Sequence, residues 1–262
     1  MPDRYMPGYT PPIVSFMTRR SAETHAAFFL PHLRPGLKLL DCGCGPGTIT
    51  RGLAARVAPG EVVGVDLETS QLELAQQDSA NPPNLRFIQA GVYQLPFPDA
   101  YFDAAFSHAL FEHIAEPVRA AREIHRVLKP GGIVGLCSPV WDTFVFRPHD
   151  PEVIAAAKLF RRIQEALGGD TSIGIKLAGI LREAGFPLII SSTPRYEYMN
   201  DLSVMGSFLI DRLERAPKQD DVFARGWIDP ASLDRMLQTL RKWQMQTDGL
   251  CGIGWWSAVA QT

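Results

Sequence analysis

Residues 39–50 read LLDCGCGPGTIT, a short apolar run that ends in an acidic residue and continues into a glycine-rich turn. The apolar run predicts a buried strand. Ile49, Leu53 and Val57 then recur at the spacing of one helical face. Backbone N–H groups at a helix N-terminus bind ligands when a glycine turn joins a strand to that helix. The stretch therefore predicts a ligand site at the end of the first strand.

Two cysteines in this turn, Cys42 and Cys44, raise the alternatives of a metal site and a disulfide. A zinc site usually takes four nitrogen or sulfur ligands, and no second Cys/His pair lies at a suitable spacing nearby. A disulfide between residues two positions apart is strained. We therefore predict no metal and interpret both cysteines as small apolar side chains that fill a tight loop.

The spacing of the glycines argues against a dinucleotide. Gly43, Gly45 and Gly47 are separated by single residues, whereas the dinucleotide fingerprint requires glycine at the position of Thr48. Asp41 at the tip of the strand would repel a pyrophosphate and attract a cation. The turn therefore favours an adenosine-like ligand that has a positively charged end and no phosphate. S-adenosylmethionine has these properties.

A second acidic residue, Asp66, ends the strand VVGVD and lies 19 residues beyond Gly47. An acid at this distance accepts hydrogen bonds from two ribose hydroxyls, in either NAD or S-adenosylmethionine. The structural alternative is that Asp66 caps the following helix. We expect Ser70 to cap that helix instead, since Ser70 and Glu73 form a capping-box pattern.

Apolar runs and helical patterns alternate along the chain. Strands are predicted at residues 37–42, 61–67, 84–90, 101–108, 133–138, 186–198 and 252–261, the last at or next to a sheet edge. Helices are predicted from about Ser21 to Leu30, between the strands, and at about 150–167, 173–184, 201–215 and 230–246. This alternation predicts an α/β fold with a Rossmann-like doubly wound sheet, mostly parallel with one antiparallel strand. Residues 1–20 are interpreted as an N-terminal arm or lid, and residues 21–262 as one domain with helical cap insertions at about 139–172 and 197–230.

Composition narrows the class of protein. The chain has 262 residues, with 46% apolar and 21% charged residues, and a net charge of -2. These values are typical of a globular protein and give no electrostatic signature of nucleic-acid or membrane binding.

No apolar run reaches the ~20 residues of a membrane span, and the proline-rich start does not resemble a secretory signal. Four scattered cysteines favour a reducing, cytoplasmic location. Arg19 and Arg20 are interpreted as solvated helix surface.

Four blocks of the sequence occur in a familiar order: LLDCGCGPGTIT, VVGVDLETSQLELA, LRFIQAGVYQLPFPDAYFDAAFSHALFEH and REIHRVLKPGGIV. Over residues 21–140 they resemble the class I S-adenosylmethionine-dependent methyltransferases of the ubiquinone/menaquinone-biosynthesis type. By this resemblance, the glycine turn and Asp41 would hold the methionine half of the cofactor, Asp66 and Leu67 the ribose and adenine, and Ser107 and His108 the methionine side. The full set of expected cofactor contacts is Asp41, Gly43, Cys44, Gly45, Gly47, Thr48, Asp66, Leu67, Gly91, Val92, Ser107 and His108.

One position departs from the family pattern. Gly91 stands where the family usually has an acid that bonds the adenine amino group. Ala90, Gly91 and Val92 offer only backbone atoms there, so the amine must bond a backbone carbonyl, water or another side chain. Loss of one hydrogen bond would weaken cofactor binding by ~1 kcal/mol.

Methyl transfer to an acceptor requires alignment, exclusion of water and, for some nucleophiles, removal of a proton. The candidate bases are His108, His113, Glu112 and His149. We rank His108 first, because it lies at the carboxyl edge of the sheet, where ligands bind in such folds. His113 is interpreted as structural.

Aromatic residues suggest an apolar small-molecule acceptor that is planar or isoprenoid, methylated on carbon, nitrogen or oxygen. Trp141, Phe144 and Phe146 follow the fifth predicted strand and are expected to line its pocket, with Tyr5 and Tyr9 as lid residues. The alternatives are an NAD(P)-dependent oxidoreductase and a regulatory protein that binds the cofactor without catalysis. A homo-oligomer is compatible with the sequence.

Overall fold

A seven-stranded sheet lies at the centre of the protein, as seen in a computed structural model that describes residues 5–262. The first four residues of the predicted arm lie outside this range. Every predicted strand is present. The strands are β1 (Leu39–Cys42), β2 (Val62–Asp66), β3 (Leu85–Gln89), β4 (Phe102–His108), β5 (Leu128–Arg147), β6 (Leu188–Met199) and β7 (Leu250–Gln261).

The order of the strands confirms the predicted fold class. It runs β3-β2-β1-β4-β5-β7-β6. Strands β1 to β5 pair in parallel, whereas β7 is antiparallel to both of its neighbours. The sheet is therefore mostly parallel with one antiparallel strand. That strand, β7, is next to the edge, and β6 forms the edge itself.

Helices separate most of the strands and cover the sheet. Within residues 5–262 the α-helices are α1 (Pro11–Thr18), α2 (Ala22–His25), α3 (Thr48–Val57), α4 (Thr69–Gln77), α5 (Pro117–Val127), α6 (Pro151–Ala166), α7 (Leu177–Glu183), α8 (Leu202–Gln219) and α9 (Pro230–Trp243). Short 3-10 helices occur at Leu30–His32, Phe111–His113 and Ile173–Lys176.

Both faces of the central strands are buried, which explains why these strands are nearly continuous apolar runs. Leu39 and Val62 pack with α3 on one face. The next residue of each strand, Leu40 or Val63, points to the opposite face and packs with α5 and α7. The alternation of side chains along a strand therefore places one hydrophobic layer on each side of the sheet.

A further hydrophobic cluster forms a cap at the carboxyl edge of the parallel strands. Helices α1, α6, α8 and α9 pack there against the end of β5, the end of β6 and the start of β7. The two predicted insertions supply α6 and α8, and α9 joins the same cluster. The cap thus combines segments that are far apart in sequence around one apolar core.

Strand β5 is much longer than the predicted 133–138. Its extension pairs with β7 from Val140 opposite Gly254 to Arg147 opposite Leu250. Residues 139–147, expected to begin a cap insertion, therefore continue the sheet. Local sequence does not reveal this pairing, because the partner strand lies about 100 residues away.

The predicted helix from Ser21 to Leu30 is wrong in its extent. Helix α2 ends at His25, and a separate 3-10 turn follows at Leu30–His32. The side chain of Phe29 is completely buried, and a Cβ on Gly135 would lie 2.4 Å from its ring. The Phe29 ring thus packs against β5 in a segment that the sequence predicted to be part of one continuous helix.

Candidate active site

The strand order reverses between β1 and β4. From β1 the chain continues to β2 and β3 on one side, and from β4 it continues to β5 on the other side. In doubly wound sheets, ligands bind in the crevice at the carboxyl ends of the strands beside such a reversal. The glycine turn follows β1 at this point, and Ser107 and His108 end β4. The fold therefore brings the predicted cofactor residues of both strands to one edge.

The glycine turn has a backbone that favours glycine at three positions. Gly43, Gly45 and Gly47 have φ angles of 71°, 52° and 74°, in the left-handed region that other residues rarely adopt. Gly47 is the N-cap residue of α3. A Cβ on Gly47 would lie 2.7 Å from the ring of Phe87. Backbone conformation and close packing thus both require glycine here.

Asp66 connects the end of β2 to this turn. Its Oδ2 accepts a hydrogen bond from the N–H of Gly45 at 2.8 Å, and its Oδ1 accepts one from the N–H of Glu68 at 3.0 Å. Burial raises the pKa of Asp66. The N-cap residue of α4 is Glu68, so Asp66 does not cap that helix. The predicted Ser70 cap is also wrong, since Ser70 donates to the Glu68 carboxylate at 3.1 Å.

Asp41 lies beneath the turn and is only 2% exposed. Its Oδ2 accepts a hydrogen bond from Thr50 Oγ1 at 2.7 Å. Burial raises the pKa of Asp41 to about 7, with a further contribution from the charge of Asp66. The Asp41 carboxyl therefore changes charge near neutral pH.

On the other side of β1, Ser107 and His108 end β4. Ser107 Oγ donates to the carbonyl of Cys42 at 2.9 Å. The His108 ring is 6% exposed and lies 4.5 Å from the Trp255 ring between centroids. Neither of its nitrogens has a hydrogen-bond partner among residues 5–262. Burial lowers the pKa of His108 well below its usual range, so the ring is neutral at pH 7.

The carboxylate of Glu197 contacts two of the rings that pack on His108. Glu197 Oε2 accepts a hydrogen bond from Trp255 Nε1 at 2.8 Å and lies 3.4 Å from His25 Nε2. Burial opposes ionisation of Glu197, but the hydrogen bond from His25 and nearby cations outweigh it and lower the pKa to about 2. Glu197 therefore holds Trp255 and His25 against His108, with centroids of the two histidine rings 5.0 Å apart.

The other candidate bases lie in different environments. Glu112 is 2% exposed and accepts a hydrogen bond from Ser138 Oγ at 2.8 Å. Burial raises the pKa of Glu112 to about 7 and lowers that of His113 to about 3. His149 is exposed in the cap. Glu112, unlike His113, therefore has a pKa suited to proton transfer near neutral pH.

The N-terminal arm lies close to the candidate cofactor residues. The rings of Tyr5 and Tyr9 stack with centroids 5.0 Å apart. Tyr5 also meets the His113 ring edge-on at 4.6 Å. Burial raises the pKa of both tyrosines, and the charge of Asp66 adds to this effect. The predicted lid residues are thus adjacent to the predicted cofactor contacts.

Helix α8 holds the arm in place. Arg212 is completely buried, donates from Nε to the carbonyl of Met6 at 2.8 Å, and pairs with Asp220 at 2.6 Å. Met17, on α1, covers the glycine turn, since a Cβ on Gly45 would lie 2.8 Å from its terminal carbon. The cap and the arm therefore form one layer above the turn.

Arg20 is a feature that the sequence analysis misinterpreted. Its guanidinium carbon lies 5.5 Å from the ring centroid of Trp255 and 5.3 Å from that of Phe16. After burial, its charge is the next cause of the lowered pKa of His108. Within the part of the chain that the structure describes, Arg20 makes no ion pair. It is therefore a half-buried cation at the candidate active site and not solvated surface.

Around the expected adenine position, the side chains are apolar. Val92 is buried, Leu67 is 59% exposed, and a Cβ on Gly91 would touch Leu67 at 3.7 Å. Gln89 donates from Nε2 to the carbonyl of Leu67 at 3.0 Å. A side chain would fit at position 91, but glycine supplies no polar group there. The nearby polar side chain is that of Gln89.

The three predicted acceptor residues line one cavity of about 250 Å³. Trp141 and Phe144 have ring centroids 4.7 Å apart, and the rings of Phe144 and Phe146 stack at 5.3 Å. All three side chains come from the extension of β5 that the sequence did not predict. The cavity therefore depends on the pairing of β5 with β7.

Comparison with known proteins agrees with this geometry. Residues 40–136, which contain the glycine turn, Asp66, Ser107 and His108, match the family described as a methyltransferase domain. The ubiquinone/menaquinone biosynthesis C-methyltransferase UbiE of Vibrio campbellii is 31% identical over 170 residues, 58% of this chain and 65% of that protein. Residues 40–136 are thus a methyltransferase domain, similar to the class I S-adenosylmethionine-dependent methyltransferases. The resemblance drawn from the four blocks is thus confirmed for this methyltransferase.

Two further proteins define how far the similarity extends. An uncharacterized 37.1 kDa protein in transposon TN4556 of Streptomyces fradiae is 33% identical over 67% of the methyltransferase chain and 52% of its own length. The methyltransferase thus spans between half and two thirds of these curated relatives. The crystal structure of a putative methyltransferase from Bacillus halodurans has a TM-score of 0.61, with 17% identity, covering 91% of this chain and 98% of that one. It shows the shared fold.

No helix within residues 5–262 is both long enough and apolar enough to cross a membrane.

Proposed function

We propose that this methyltransferase transfers the methyl group of S-adenosylmethionine to a carbon, nitrogen or oxygen atom of an apolar small molecule by in-line displacement. The observation that supports it is the position of Asp41 and Asp66 at a turn of three left-handed glycines. Two carboxyl groups disfavour a pyrophosphate and favour a ligand with cationic groups. The same arrangement disfavours the alternative of an NAD(P)-dependent oxidoreductase.

The residues present fit the parts of S-adenosylmethionine. In this proposal Asp66 binds the ribose hydroxyls, and Leu67, Gly91 and Val92 surround the adenine. Asp41, Cys44, Thr48 and Ser107 lie with the glycines on the methionine side. Arg20, a half-buried cation with no ion pair among the described residues, binds the carboxylate of the methionine. When bound, the cofactor supplies an electrophilic methyl group on a sulfonium and a neutral leaving group.

Acceptor binding would use the aromatic cavity and the arm. Trp141, Phe144 and Phe146 provide an apolar wall for the acceptor. Tyr5 and Tyr9, stacked near Asp66, cover the site. Such a cover excludes water and fixes the nucleophile against the methyl group, which is the main requirement of this reaction.

His108 would act on the nucleophile. Its neutral ring has one acceptor and one donor nitrogen, and both lack a partner in residues 5–262. The lowered pKa makes His108 a weak base, so its role would be to orient a hydroxyl or amine and accept its proton during transfer. Glu112, with a pKa of about 7, is the alternative proton acceptor. The name of the Vibrio relative, a C-methyltransferase, favours carbon as the methylated atom.

Release of the methyl group from labelled S-adenosylmethionine over a panel of phenols, indoles and prenylated compounds tests this proposal. We expect transfer to at least one apolar acceptor, together with calorimetric binding of S-adenosylhomocysteine and none of NADH. Tight NADH binding would contradict the proposal. Cofactor binding without transfer to any compound would favour the regulatory alternative, for which Gly91 is the supporting feature.

The role of His108 can be separated from cofactor binding. With an acceptor from this panel, His108→Ala should lower kcat by about 10²–10⁴-fold. The affinity for S-adenosylhomocysteine should fall much less than kcat, because the Asp66 contacts to the ribose are intact. His32→Ala, which alters a half-buried histidine outside the site, serves as the matched control. A normal kcat in His108→Ala would remove this residue from the mechanism and leave Glu112.

A further inference from the structure

The cavity formed by Trp141, Phe144 and Phe146 is lined by both apolar and cationic side chains. Ile154 and Ala157 of α6 complete its apolar surface. The cations that line it are Arg147, Lys158 and Arg161, and the facing acid is Asp142. An aromatic wall with several cations at one rim is an unusual combination for a pocket that binds only neutral molecules.

The charges at this rim do not cancel. Arg161 is neutralised locally, because it pairs with Asp142 through both terminal nitrogens and lies 3.7 Å from Glu165. Arg147 and Lys158 make no ion pair with any residue in the range 5–262. Both are exposed, and Arg147 donates a hydrogen bond to the carbonyl of Phe146 at 3.0 Å. Two cations are thus left without counter-charge beside the aromatic wall.

Packed aromatic rings link the wall of this cavity to the proposed reaction site. Phe144 contacts Trp141 inside the cavity and also packs on the cluster of Cys137, Ile253 and Trp255. Trp255 in turn lies against His108, with ring centroids 4.5 Å apart. Phe144 and Trp255 therefore connect the wall of the cavity to His108, at the end of β4.

We propose that the acceptor is an apolar ring compound with one anionic group, such as a carboxylate. Its ring packs on Trp141, Phe144 and Phe146, and its anionic group lies between Arg147 and Lys158. This inference rests on the proposed function, because it assigns the acceptor class of the same site. Charge complementarity selects this occupant, since a cationic acceptor would meet the two unpaired cations and a neutral acceptor would leave them unused.

Two probes of the same shape test the assignment. Naphthalene-2-carboxylate and 2-naphthalenemethanol share a ring system and differ in charge. Their affinities are measured by calorimetry at low salt, with the full chain saturated with S-adenosylhomocysteine. We expect the carboxylate to bind about tenfold more tightly, from attraction to two nearby cations in a partly aqueous site. The preference should fall to about twofold or less in 0.5 M salt, because screening acts strongly on exposed charges.

Variants locate the source of this preference. Lys158→Gln and Arg147→Gln should each lower it several-fold, whereas Phe144→Ala should weaken both probes together. Lys242→Gln, at an exposed lysine on α9, should leave both affinities unchanged. Equal binding of the two probes by the unaltered chain would overturn the inference. A carboxylate preference that survives in both Lys158→Gln and Arg147→Gln would overturn it as well.

This experiment distinguishes failure of the inference from failure of the proposed function. The readout is binding and requires no methyl transfer. A carboxylate preference that depends on Lys158 would support the anion site even if no compound were methylated. Methylation of neutral acceptors only, with equal probe affinities, would support the function and overturn the inference.

Discussion

The N–H of Gly45 donates a hydrogen bond to the carboxylate of Asp66 at 2.8 Å. This bond joins the glycine turn after β1 to the tip of β2. It fixes the orientation of the Asp66 carboxylate and leaves lone pairs for further donors, since a carboxylate accepts about four hydrogen bonds. The position of the turn and the proposed recognition of ribose therefore depend on the same side chain.

Replacement of Asp66 should strongly weaken cofactor binding. Asp66→Ala removes two charge-assisted bonds to the ribose, each worth about 1.5–3 kcal/mol, so the affinity for S-adenosylhomocysteine should fall by at least 100-fold. Calorimetry gives the affinity, and circular dichroism shows that the fold is retained. Glu73→Ala, at an exposed acid on α4, is the control and should bind normally. Unchanged binding in Asp66→Ala would mean that the ribose lies elsewhere.

Cofactor affinity should depend on pH through Asp41. Burial raises the pKa of this carboxyl to about 7, so it is increasingly protonated below pH 7. A ligand with cationic groups favours the ionised form, and linkage then requires that binding weakens as the pH falls through 7. Between pH 7 and pH 6 we expect the affinity for S-adenosylmethionine to fall about fivefold, with the tenfold limit per pH unit reached only at lower pH.

Two variants separate Asp41 from Glu112, whose pKa is also raised to about 7. Asp41→Asn keeps an acceptor for Thr50 and should flatten the pH dependence of binding. Glu112→Gln should retain it. A flat profile in the unaltered protein, or an unchanged profile in Asp41→Asn, would show that Asp41 stays in one charge state on binding.

Arg20 should strengthen the binding of ligands that carry a methionine carboxylate and have little effect on ligands that lack one. Arg20→Gln should weaken S-adenosylhomocysteine by about tenfold or more, the effect of one charge-assisted bond of 1.5–3 kcal/mol. Binding of 5′-methylthioadenosine, which has no amino-acid part, should change little. Arg19→Gln is the matched control, because the neighbouring arginine contacts Met199 and not the aromatic rings. Equal losses for both ligands would place Arg20 away from the carboxylate.

The tether between the arm and the cap should contribute to stability. Arg212→Ala leaves the buried Asp220 without its ion-pair partner, and such a change costs about 3–5 kcal/mol. Urea unfolding of the full chain measures this loss. Arg241→Ala removes an exposed pair with Glu214 in the same cap and should cost less than about 1 kcal/mol. Similar losses in both variants would contradict a special role for the buried pair.

Much of the candidate cofactor site was predictable, because its residues are close together in sequence. The acid, the three glycines and Thr48 lie within one strand-turn-helix unit, and backbone sterics restrict what such a unit can be. Asp66 follows on the next strand at a fixed distance. The positions of Ser107 and His108 came from resemblance to a family, whose pattern already contains the effect of tertiary contacts.

The acceptor side was only partly predictable. Trp141, Phe144 and Phe146 were expected to line a pocket, but the strand that carries them was not. Arg20 was assigned to solvent, because a pair of arginines on a predicted helix shows no sign of distant partners. Its aromatic neighbour Trp255 lies more than 200 residues further along the chain.

The sequence by itself determined the doubly wound α/β fold and the glycine turn, which follow from strand periodicity and glycine spacing, and its four blocks indicated the methyltransferase family by resemblance. Tertiary structure alone decided the extension of β5 along β7, the placement of the arm under α8, and the burial that sets the pKa values of Asp41, His108 and Glu112. The physical reason is that burial and charge pairing are properties of the surroundings of a side chain. Some of those surroundings come from distant segments, as where Met6 lies 206 residues from Arg212 and β7 lies about 100 residues beyond β5.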